Sequence, residues 1–521
     1  HIQRDGRGLP LTVHSHQGFW LQQRYTPGGL LAEQQAGYGR GERLPQWPAG
    51  VPLDVGLQRH YRYDRSGLPR LMTDRDVGER RYRYDVAARV VEVQGTYGAE
   101  RFDYGPLGEL RAMSRQGGAG LPERWRLSHH AGRVRSRNDE RYLYDAAGRL
   151  IQKDHLREGF RPEVWQYRYN ARGELIGLRG PRGERWRYVY DPLGRRIEKR
   201  NESNGRIQRS VWSGDVLAAE LGGQYRDGRF LPGAQAEVWV FSPGGFVPLA
   251  KQRLRFERDP LVIAHYQAAF PGQAPPPQCQ TWFAVTDHLG TPQALLSARG
   301  EVVWRADYAT WGAVLGTQHH PDPELRTDCP LRFLGQYADA ESGLHYNRFR
   351  YYDPQTGQYL TPDPIGLAGG LTPQAYVPNP LAWVDPLGLA GCPRRGSLSA
   401  EEANAPHVEK GRLPPYAEGT RARDIVLQRE RIFVRVHGDG NQTRSWMMRP
   451  RQIEGLTLSQ IKDKFALPEI PIFVSDVYVP TGTKIRVGTV AAQPGWGSGG
   501  GIQYELLERL PASAFRNMRP L

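Results

Sequence analysis

The stretch YLYDAAGRL, from Tyr142 to Leu150, contains the pattern that decides the fold. The pattern recurs as YRYDRSG from Tyr61 and as YVYDPLGRR from Tyr188, with weaker copies between them. The second tyrosines of neighbouring copies can be 21 residues apart, as Tyr63 and Tyr84 are. A fixed period of this kind indicates an array of similar supersecondary units rather than the three or so separate domains that length alone would suggest.

Each copy predicts a β-hairpin of about twenty residues. Tyr-x-Tyr on a strand places both rings on one face, because successive side chains alternate. The Asp that follows begins a turn by bonding its own backbone, and the Gly takes the positive-φ position that other residues avoid. A single hairpin is marginally stable, so stacked copies must supply the core. The 61 Gly and 41 Pro of the chain fit a fold with many turns.

This pattern resembles the YD repeat of Rhs proteins, which are relatives of the TcC toxin components and the teneurins. The resemblance continues in TDHLGTPQALLSARGEVVW from Thr286, and in RFLGQYADAESGLHYNRFRYYDPQTGQYL from Arg332, which resembles the Rhs-associated core. It implies a mostly β fold, in which YD-repeat hairpins spiral into a hollow shell that encloses the C-terminal tail. The implied domains are a YD-repeat shell at 1–285, an Rhs-associated core at 286–389 and a C-terminal toxin at 390–521.

Two DPxG motifs follow within the core. Asp363-Pro-Ile-Gly366 and Asp385-Pro-Leu-Gly-Leu389 are separated by 18 residues. Alone, each motif is typical of a turn. As a pair they resemble the Rhs self-cleavage element, which implies a cut between Leu389 and Ala390.

The residue types suit an aspartyl-type cut. Two carboxylates that lie close together do not both ionise readily, so one keeps a proton and the other acts as a base. Asp363 and Asp385 are the candidates, and the sequence leaves open which of them is the base. Arg350 resembles a family arginine near the cleavage site and could orient a carboxylate, although packing within the shell explains it equally well.

After Leu389 the repeat stops, and the tail has 19 Lys and Arg against 13 Asp and Glu, a net charge of +6. Its pattern predicts a small α+β domain whose strands lie mostly near the C-terminus. The individual elements are a short helix from Ser399 to Ala403 in an otherwise linker-like stretch, a strand from Arg431 to Gly438, a second strand in SWMMRP, a helix from Thr457 to Ala466 with Thr457 as N-cap, and late strands in PIFVSDVYVP, TKIRVGTVA and GIQYELLE.

The end of the tail, VYVPTGTKIRVGTVAAQPGWGSGGGIQYELLE, resembles the C-terminal half of ADP-ribosyltransferase-fold toxins, and Gln503-Tyr504-Glu505 matches their Gln-x-Glu. The GWGSGGGIQYEL segment also resembles the tuberculosis-necrotizing-toxin class of NAD glycohydrolases. Both resemblances imply NAD as substrate. Glu505 would stabilise an oxocarbenium-like state and Gln503 would position the acceptor. The candidate NAD contacts are Arg435 for the diphosphate, with His437, Ser445, Trp496 and Tyr504.

Three activities therefore stay open for the tail. ADP-ribosyl transfer to a protein or RNA of the target cell is favoured over plain NAD hydrolysis. A nuclease is the alternative from another class, because the tail is basic and contains His437.

Composition sets further expectations. No run of about 18 apolar residues is present, so no membrane span is expected. Cys279, Cys329 and Cys392 are too far apart for a CxxC metal site, and no metal is expected. The net charge is +15, but the arginines are scattered beside tyrosines, which predicts a partly stacked strand surface rather than a nucleic-acid site.

The Rhs resemblance also implies partners and a location. An interbacterial effector of this kind is made in the bacterial cytoplasm, secreted by a type VI machine and delivered into the target-cell cytoplasm. It would need a cognate immunity protein. A VgrG-type spike carrier and a chaperone would act through a part of the protein that precedes His1.

Overall fold

The computed structural model describes residues 1–5, 9–39, 55–96, 98–117, 122–243, 245–370, 372–389, 392–393, 398–418, 420–427, 430–439 and 442–521. The chain divides into two compact units. The larger contains His1–Gln3, Pro10–Arg24 and Leu31–Cys392, and the smaller contains Arg4–Leu9, Tyr25–Leu30 and Pro393–Leu521. The division at 392/393 lies close to the boundary expected at 389/390. Residues on both sides of the boundary expected at 285/286 belong to the larger unit.

The first 26 strands form one large sheet. From β4 to β26 each strand pairs antiparallel with the next one along the chain, as hairpins in series require. The strands are β1 Ile2–Arg4, β2 Pro10–His14, β3 Phe19–Tyr25, β4 Leu31–Tyr38, β5 Val55–Tyr63, β6 Pro69–Asp74, β7 Gly78–Tyr84, β8 Val90–Gly95, β9 Gly98–Tyr104, β10 Leu110–Gln116, β11 Glu123–His130, β12 Arg133–Arg137, β13 Glu140–Tyr144, β14 Leu150–His155, β15 Glu163–Tyr169, β16 Leu175–Arg179, β17 Arg185–Tyr190, β18 Arg196–Asn201, β19 Arg206–Ser213, β20 Val216–Arg226, β21 Arg229–Phe241, β22 Pro248–Arg255, β23 Gln278–Thr286, β24 Pro292–Leu296, β25 Val302–Tyr308 and β26 Val314–His319. Helix α1, Pro260–Ala269, interrupts the series between β22 and β23.

The repeat forms the predicted hairpin. In the copy at β13, the Asp145 carboxylate accepts hydrogen bonds from the Arg149 backbone amide at 2.9 Å and from the Arg149 Nε at 2.7 Å. Gly148 takes φ +77°, and a register shift lies between Leu143 and Tyr144, just before the turn. The positive φ explains why glycine closes the turn.

Tyrosines join each hairpin to the one before it. The first tyrosine of the motif is buried, and the second packs partly exposed beside it, as Tyr82 and Tyr84 do. The Tyr84 hydroxyl donates to the Pro69 carbonyl at 2.7 Å, and the Tyr104 hydroxyl to the Val90 carbonyl at 2.8 Å. Arginines that follow a turn lie over tyrosines of the next copy, with a distance of 4.9 Å from Arg89 to the Tyr104 ring centroid, for example. The predicted one-sided Tyr-x-Tyr face and its stacked arginines are confirmed.

Residues after 286 share the core of the repeats. Trp311, Leu344, Tyr346, Tyr351 and Leu360 pack into the same cluster as the buried residues of β7 to β17. This shared core is the physical reason why residues 1–285 and 286–389 do not separate into two units. The later part of this unit contains β27 Tyr337–Asp339, β28 Leu344–Asn347, β29 Arg350–Asp353 and β30 Gln358–Tyr359 in one four-stranded sheet, then the 3-10 helix Gly366–Gly369, with β31 Trp383–Val384 paired to β32 Cys392–Pro393.

The tail is α+β and has two small sheets. One contains β33 Leu398–Ser399, β34 Arg421–Val426, β38 Lys484–Thr489, β39 Ile502–Leu506 and β36 Trp446–Met447, in that order, and the other contains β35 Arg431–His437, β37 Phe473–Val479 and β40 Phe515–Pro520. The helices are α2 Ala400–Val408 and α3 Leu458–Lys464, with 3-10 turns at Pro450–Gln452 and Ala512–Ala514. No helix within these described residues or in the larger unit is long and apolar enough to cross a membrane.

Most elements of the tail were predicted. Thr457 caps α3, and its hydroxyl accepts from the Gln460 amide at 3.3 Å. Two predictions were wrong. The helix expected at Ser399–Ala403 continues to Val408, and β40 follows the strand that we expected to be the last.

Candidate functional site

The two DPxG motifs meet at Arg350, at the start of β29. Its Nη2 lies 2.8 Å from Asp363 Oδ2 and 3.4 Å from Asp385 Oδ2. The same Nη2 donates to the Leu389 carbonyl oxygen at 2.8 Å. The guanidinium therefore contacts both predicted catalytic carboxylates and the carbonyl of the predicted scissile bond. Ala390, on the other side of that bond, lies outside the described residues.

Neighbouring backbone and side-chain groups fix the guanidinium. Arg350 Nε donates to the Gly388 carbonyl at 2.6 Å, and Nη1 donates to the Pro373 carbonyl at 2.9 Å. The Tyr359 ring lies beneath it, with 3.7 Å between the guanidinium carbon and the ring centroid. Because the side chain is 1% exposed, these contacts hold a desolvated cation at one position.

The two carboxylates have different surroundings. Asp385 accepts hydrogen bonds from the Tyr359 hydroxyl at 2.8 Å and from the Leu389 amide at 2.9 Å. Asp363 accepts from the Ile365 amide at 3.1 Å. Burial raises the pKa of Asp363, Arg350 opposes this shift, and the charge of Asp385 adds to it. The raised pKa favours the protonated form of Asp363, while the hydrogen bonds of Asp385 come from donors.

At Gly335 and Gly388 the backbone packs so closely against neighbouring loops that a residue larger than glycine would not fit. A Cβ on Gly335 would lie 1.8 Å from the Pro386 carbonyl oxygen, and a Cβ on Gly388 would lie 2.5 Å from the Asn347 carbonyl oxygen. Both glycines have positive φ. This close contact places the second DPxG motif against the β28–β29 hairpin that carries Arg350.

The predicted toxin residues Glu505 and Gln503 lie on one face of β39. The Tyr416 hydroxyl donates to Glu505 Oε2 at 2.6 Å, and His407 Nε2 lies 3.1 Å from Oε1. The Gln503 amide donates to the Pro415 carbonyl at 2.8 Å. The charge of Glu505 and burial raise the pKa of Tyr416, so its hydroxyl stays protonated and donates.

The sequence interpretation missed the residues that surround Glu505. His407 and Tyr416 lie in the stretch that the sequence predicts to be linker-like. Trp446 is opposite Glu505 in the β36–β39 register. The three rings form a cluster with centroid separations of 5.7 to 6.4 Å. The Asn404 side chain bonds both the amide and the carbonyl of Tyr416, which ties this loop to α2. No motif in the sequence signalled this cluster.

The other proposed NAD contacts lie in different places. Arg435 donates to the backbone carbonyl of Trp446 at 2.8 Å. Burial lowers the pKa of Arg435 to about 10. Tyr504 is buried in the core with its ring 4.9 Å from Phe433, because it alternates with Gln503 and Glu505 on the strand. The aromatic residues beside Glu505 are therefore Tyr416 and Trp446 rather than Tyr504.

Three further candidates do not touch Glu505 in any recorded contact. His437 Nε2 pairs with the Ser475 hydroxyl at 2.9 Å, and its Nδ1 pairs with the Gly438 carbonyl at 2.8 Å. Ser445 accepts from the Leu506 amide through its backbone carbonyl. Trp496 is 37% exposed in a turn whose carbonyl binds Lys462.

Comparisons with known proteins agree with the fold of the larger unit. A family described as "Teneurin YD-shell" matches residues 69–211, and one described as "RHS protein" matches residues 282–318. Among solved structures, a Photorhabdus luminescens Tc holotoxin pore aligns with a TM-score of 0.58 over 75% of this chain and 19% of that chain, at 18% identity. A TcdB2–TccC3–TEV structure aligns with a TM-score of 0.56 over 74% and 19%, also at 18% identity.

Several curated proteins are similar in sequence. The probable deoxyribonuclease RhsA of Dickeya dadantii is 38% identical over 75% of this chain and 25% of its own length. Toxin protein Tse5 of Pseudomonas aeruginosa is 36% identical over 71% and 29%. The double-stranded DNA deaminase toxin A of Burkholderia cenocepacia is 34% identical over 69% and 24%. The chain thus spans about a quarter of the length of these relatives, whose names give different activities. The repeats, the fold and these relatives together show that the larger unit is a YD-repeat core of the Rhs type.

Proposed function

We propose that the core cuts its own chain between Leu389 and Ala390 and releases residues 390–521. One observation carries this proposal. A single buried guanidinium nitrogen, Arg350 Nη2, contacts Asp363, Asp385 and the Leu389 carbonyl oxygen. A cation bonded to that oxygen would stabilise the negative charge that develops there when the carbonyl is attacked.

The chemistry would be one hydrolysis. Asp385 would accept a proton from water as the water oxygen attacks the Leu389 carbonyl carbon. Asp363 would donate its proton to the Ala390 nitrogen as the C–N bond breaks. One water is consumed, the products are the Leu389 carboxylic acid and the Ala390 amine, and the proton left on Asp385 passes to solvent. The raised pKa of Asp363 favours it as the acid.

The test compares three isosteric substitutions. Asp363→Asn and Asp385→Asn should each leave one full-length species, whereas the unaltered chain should give two, the smaller beginning at Ala390. Asp353→Asn is the matched control, because Asp353 is also buried but has no recorded contact with Arg350. Intact mass after denaturation distinguishes the products. Cutting at this bond by either site variant would contradict the assigned roles.

We infer that the released tail consumes NAD, as its resemblance to ADP-ribosyltransferase-fold toxins implies. The support is a buried carboxylate, Glu505, beside three aromatic rings, with two arginines close by. Arg435 binds the backbone of Trp446, and Arg486 is opposite Glu505 in the β38–β39 register. A carboxylate and an aromatic wall suit an oxocarbenium-like ribose and a nicotinamide ring. Transfer to a protein or RNA acceptor is the favoured outcome, and NAD hydrolysis is the alternative.

Glu505→Gln keeps the shape of the side chain and removes its charge. Turnover of NAD should fall by roughly 10²–10³-fold, the loss typical of one preorganised electrostatic group. Glu508→Gln is the matched control, since Glu508 is exposed on the same segment. If the tail with Glu505→Gln remains as toxic as the unaltered tail, NAD chemistry is excluded and the nuclease becomes the leading candidate.

Gln503→Ala separates the two NAD activities. Loss of labelled transfer with retained NAD hydrolysis would indicate a transferase, whereas loss of hydrolysis itself would indicate a glycohydrolase. The Gln503 side-chain amide donates to the Pro415 carbonyl, next to Tyr416. Gln503→Glu is a second variant, which keeps the shape of the side chain but lacks this donor.

We also propose the biological setting that the Rhs relatives suggest. The chain would be part of an interbacterial effector, made in the cytoplasm, loaded on a VgrG-type spike carrier with a chaperone and neutralised in its own cell by an immunity protein. The core would enclose the tail after cleavage, so both pieces should co-elute in size exclusion under native conditions. A cleaved tail that elutes alone would contradict enclosure.

A further inference from the structure

A cavity of about 240 Å³ lies beside the predicted cleavage site. The turns of two YD hairpins, around Gly173 and Gly194, form one side of it, and the β28–β29 hairpin with Leu360–Pro364 forms the other. Arg350 lines this cavity, as does Pro364, the residue after Asp363. The guanidinium that binds the Leu389 carbonyl is therefore also part of the cavity wall.

Two buried polar atoms in the cavity lining are unsatisfied. Within the described part of the chain, neither the Tyr169 hydroxyl nor Arg348 Nη1 has a hydrogen-bond partner. The rest of the Arg348 guanidinium is occupied, because Nε donates to Asp215 at 3.1 Å and Nη2 donates to the Leu193 carbonyl at 2.9 Å. Arg348 as a whole is only 5% exposed. A buried donor without a partner costs about 1–3 kcal/mol, so such atoms normally bind ordered water.

We propose that this cavity holds the water that hydrolyses the Leu389–Ala390 bond, and that Tyr169 and Arg348 position it. A volume of 240 Å³ has room for several water molecules, each needing two to four polar partners. The cavity supplies such partners in the Tyr169 hydroxyl and Arg348 Nη1, and its lining also includes Arg350. This inference rests on the proposed self-cleavage and explains how a buried pair of carboxylates would obtain its second substrate.

The hydroxyl of Tyr169 can be removed with little change in shape. Tyr169→Phe should slow cleavage by roughly 2- to 10-fold, the equivalent of one lost hydrogen bond. Tyr84→Phe is the matched control, since Tyr84 occupies the same motif position but donates to the Pro69 carbonyl and does not line the cavity. The rate is measured by intact mass during cell-free synthesis. The thermal midpoint and the pH profile of Tyr169→Phe should match those of the unaltered chain, because the two aspartates are untouched.

Arg348 needs a pair of variants, because it also makes structural contacts. Arg348→Lys keeps a cation and a donor, whereas Arg348→Met keeps only the length. Both lose the bond to Asp215, so the water-positioning role predicts faster cleavage for Lys than for Met. Equal rates for the two would assign Arg348 to structure alone.

The cavity itself is tested by filling it. Leu193→Trp enlarges an exposed side chain in the lining and should slow cleavage more than Tyr169→Phe does. The inference is overturned if Tyr169→Phe and Leu193→Trp both cut at the unaltered rate, or if Tyr84→Phe slows cleavage equally. Those outcomes would leave the cleavage proposal intact, which fails only if the Asp363→Asn or Asp385→Asn chain still cuts.

Discussion

Arg350→Met is the most informative substitution, because Arg350 is the one side chain among the described residues that contacts both aspartates and the Leu389 carbonyl. Methionine preserves much of the length and the apolar packing against Tyr359 but removes every donor. The loss of the hydrogen bond to the Leu389 carbonyl should slow cleavage by about 10²–10³-fold, as removal of an oxyanion donor does elsewhere. Cell-free synthesis followed by intact mass gives the rate.

The same substitution should destabilise the core in a pH-dependent way. Breaking a buried ion pair by removing one partner typically costs about 3–5 kcal/mol, because the remaining charge is unpaired. Here the remaining group is the Asp363–Asp385 pair, and loss of Arg350 removes the cation that opposes the upward pKa shift of Asp363. A carboxyl whose folded pKa is raised destabilises the protein as pH rises above its unfolded pKa. The cost should therefore be larger at about pH 7.5 than at about pH 5.

Arg350→Lys is the control for charge alone. Lysine keeps the cation but cannot present the planar fork that binds three carbonyl oxygens. It should recover stability more than cleavage. The proposed role of Arg350 is refuted if Arg350→Met cuts at the unaltered rate, or if the thermal midpoint of this variant falls by the same amount at both pH values.

Three further predictions concern other parts of the core. Gly335→Ala should slow cleavage, because its Cβ would meet the Pro386 carbonyl at 1.8 Å, whereas Gly343→Ala, also at positive φ but with nothing within 4 Å, should cut normally by intact mass. Burial raises the pKa of Glu220 to about 7, so stability should fall as pH rises from about 4.5 through 7, and Glu220→Gln should flatten that dependence of the thermal midpoint. The pKa of Asp191 is lowered although burial opposes this, because Arg195 bonds its carboxylate, so its stabilisation is lost as pH falls. Asp191→Asn should remove that acid dependence while keeping the turn, and Asp191→Ala should cost about 1 kcal/mol in thermal unfolding, the worth of a lost hydrogen bond.

The sequence determined the hairpin repeat because its signals are local. Tyr-x-Tyr alternation, an Asp that bonds its own turn and a Gly at positive φ all act within about nine residues, so each copy specifies the same unit. The DPxG spacing likewise identified the two aspartates, although that step depended on the family resemblance. The helix cap at Thr457 is local in the same sense, and it was also predicted correctly.

Tertiary structure alone decided which residues meet across the chain. Arg350 is 35 residues from Asp385, and only the folded chain brings its guanidinium to both Asp385 and the Leu389 carbonyl. His407 and Tyr416 precede Glu505 by 98 and 89 positions in the sequence. Pairing of this kind depends on where a helix and a loop return in space, and that return leaves no periodic signal in the sequence. The face of a strand on which a side chain lies follows from local alternation, and alternation with Glu505 places Tyr504 on the core face. The aromatic residues that lie beside Glu505, Tyr416 and Trp446, cannot be identified in this way.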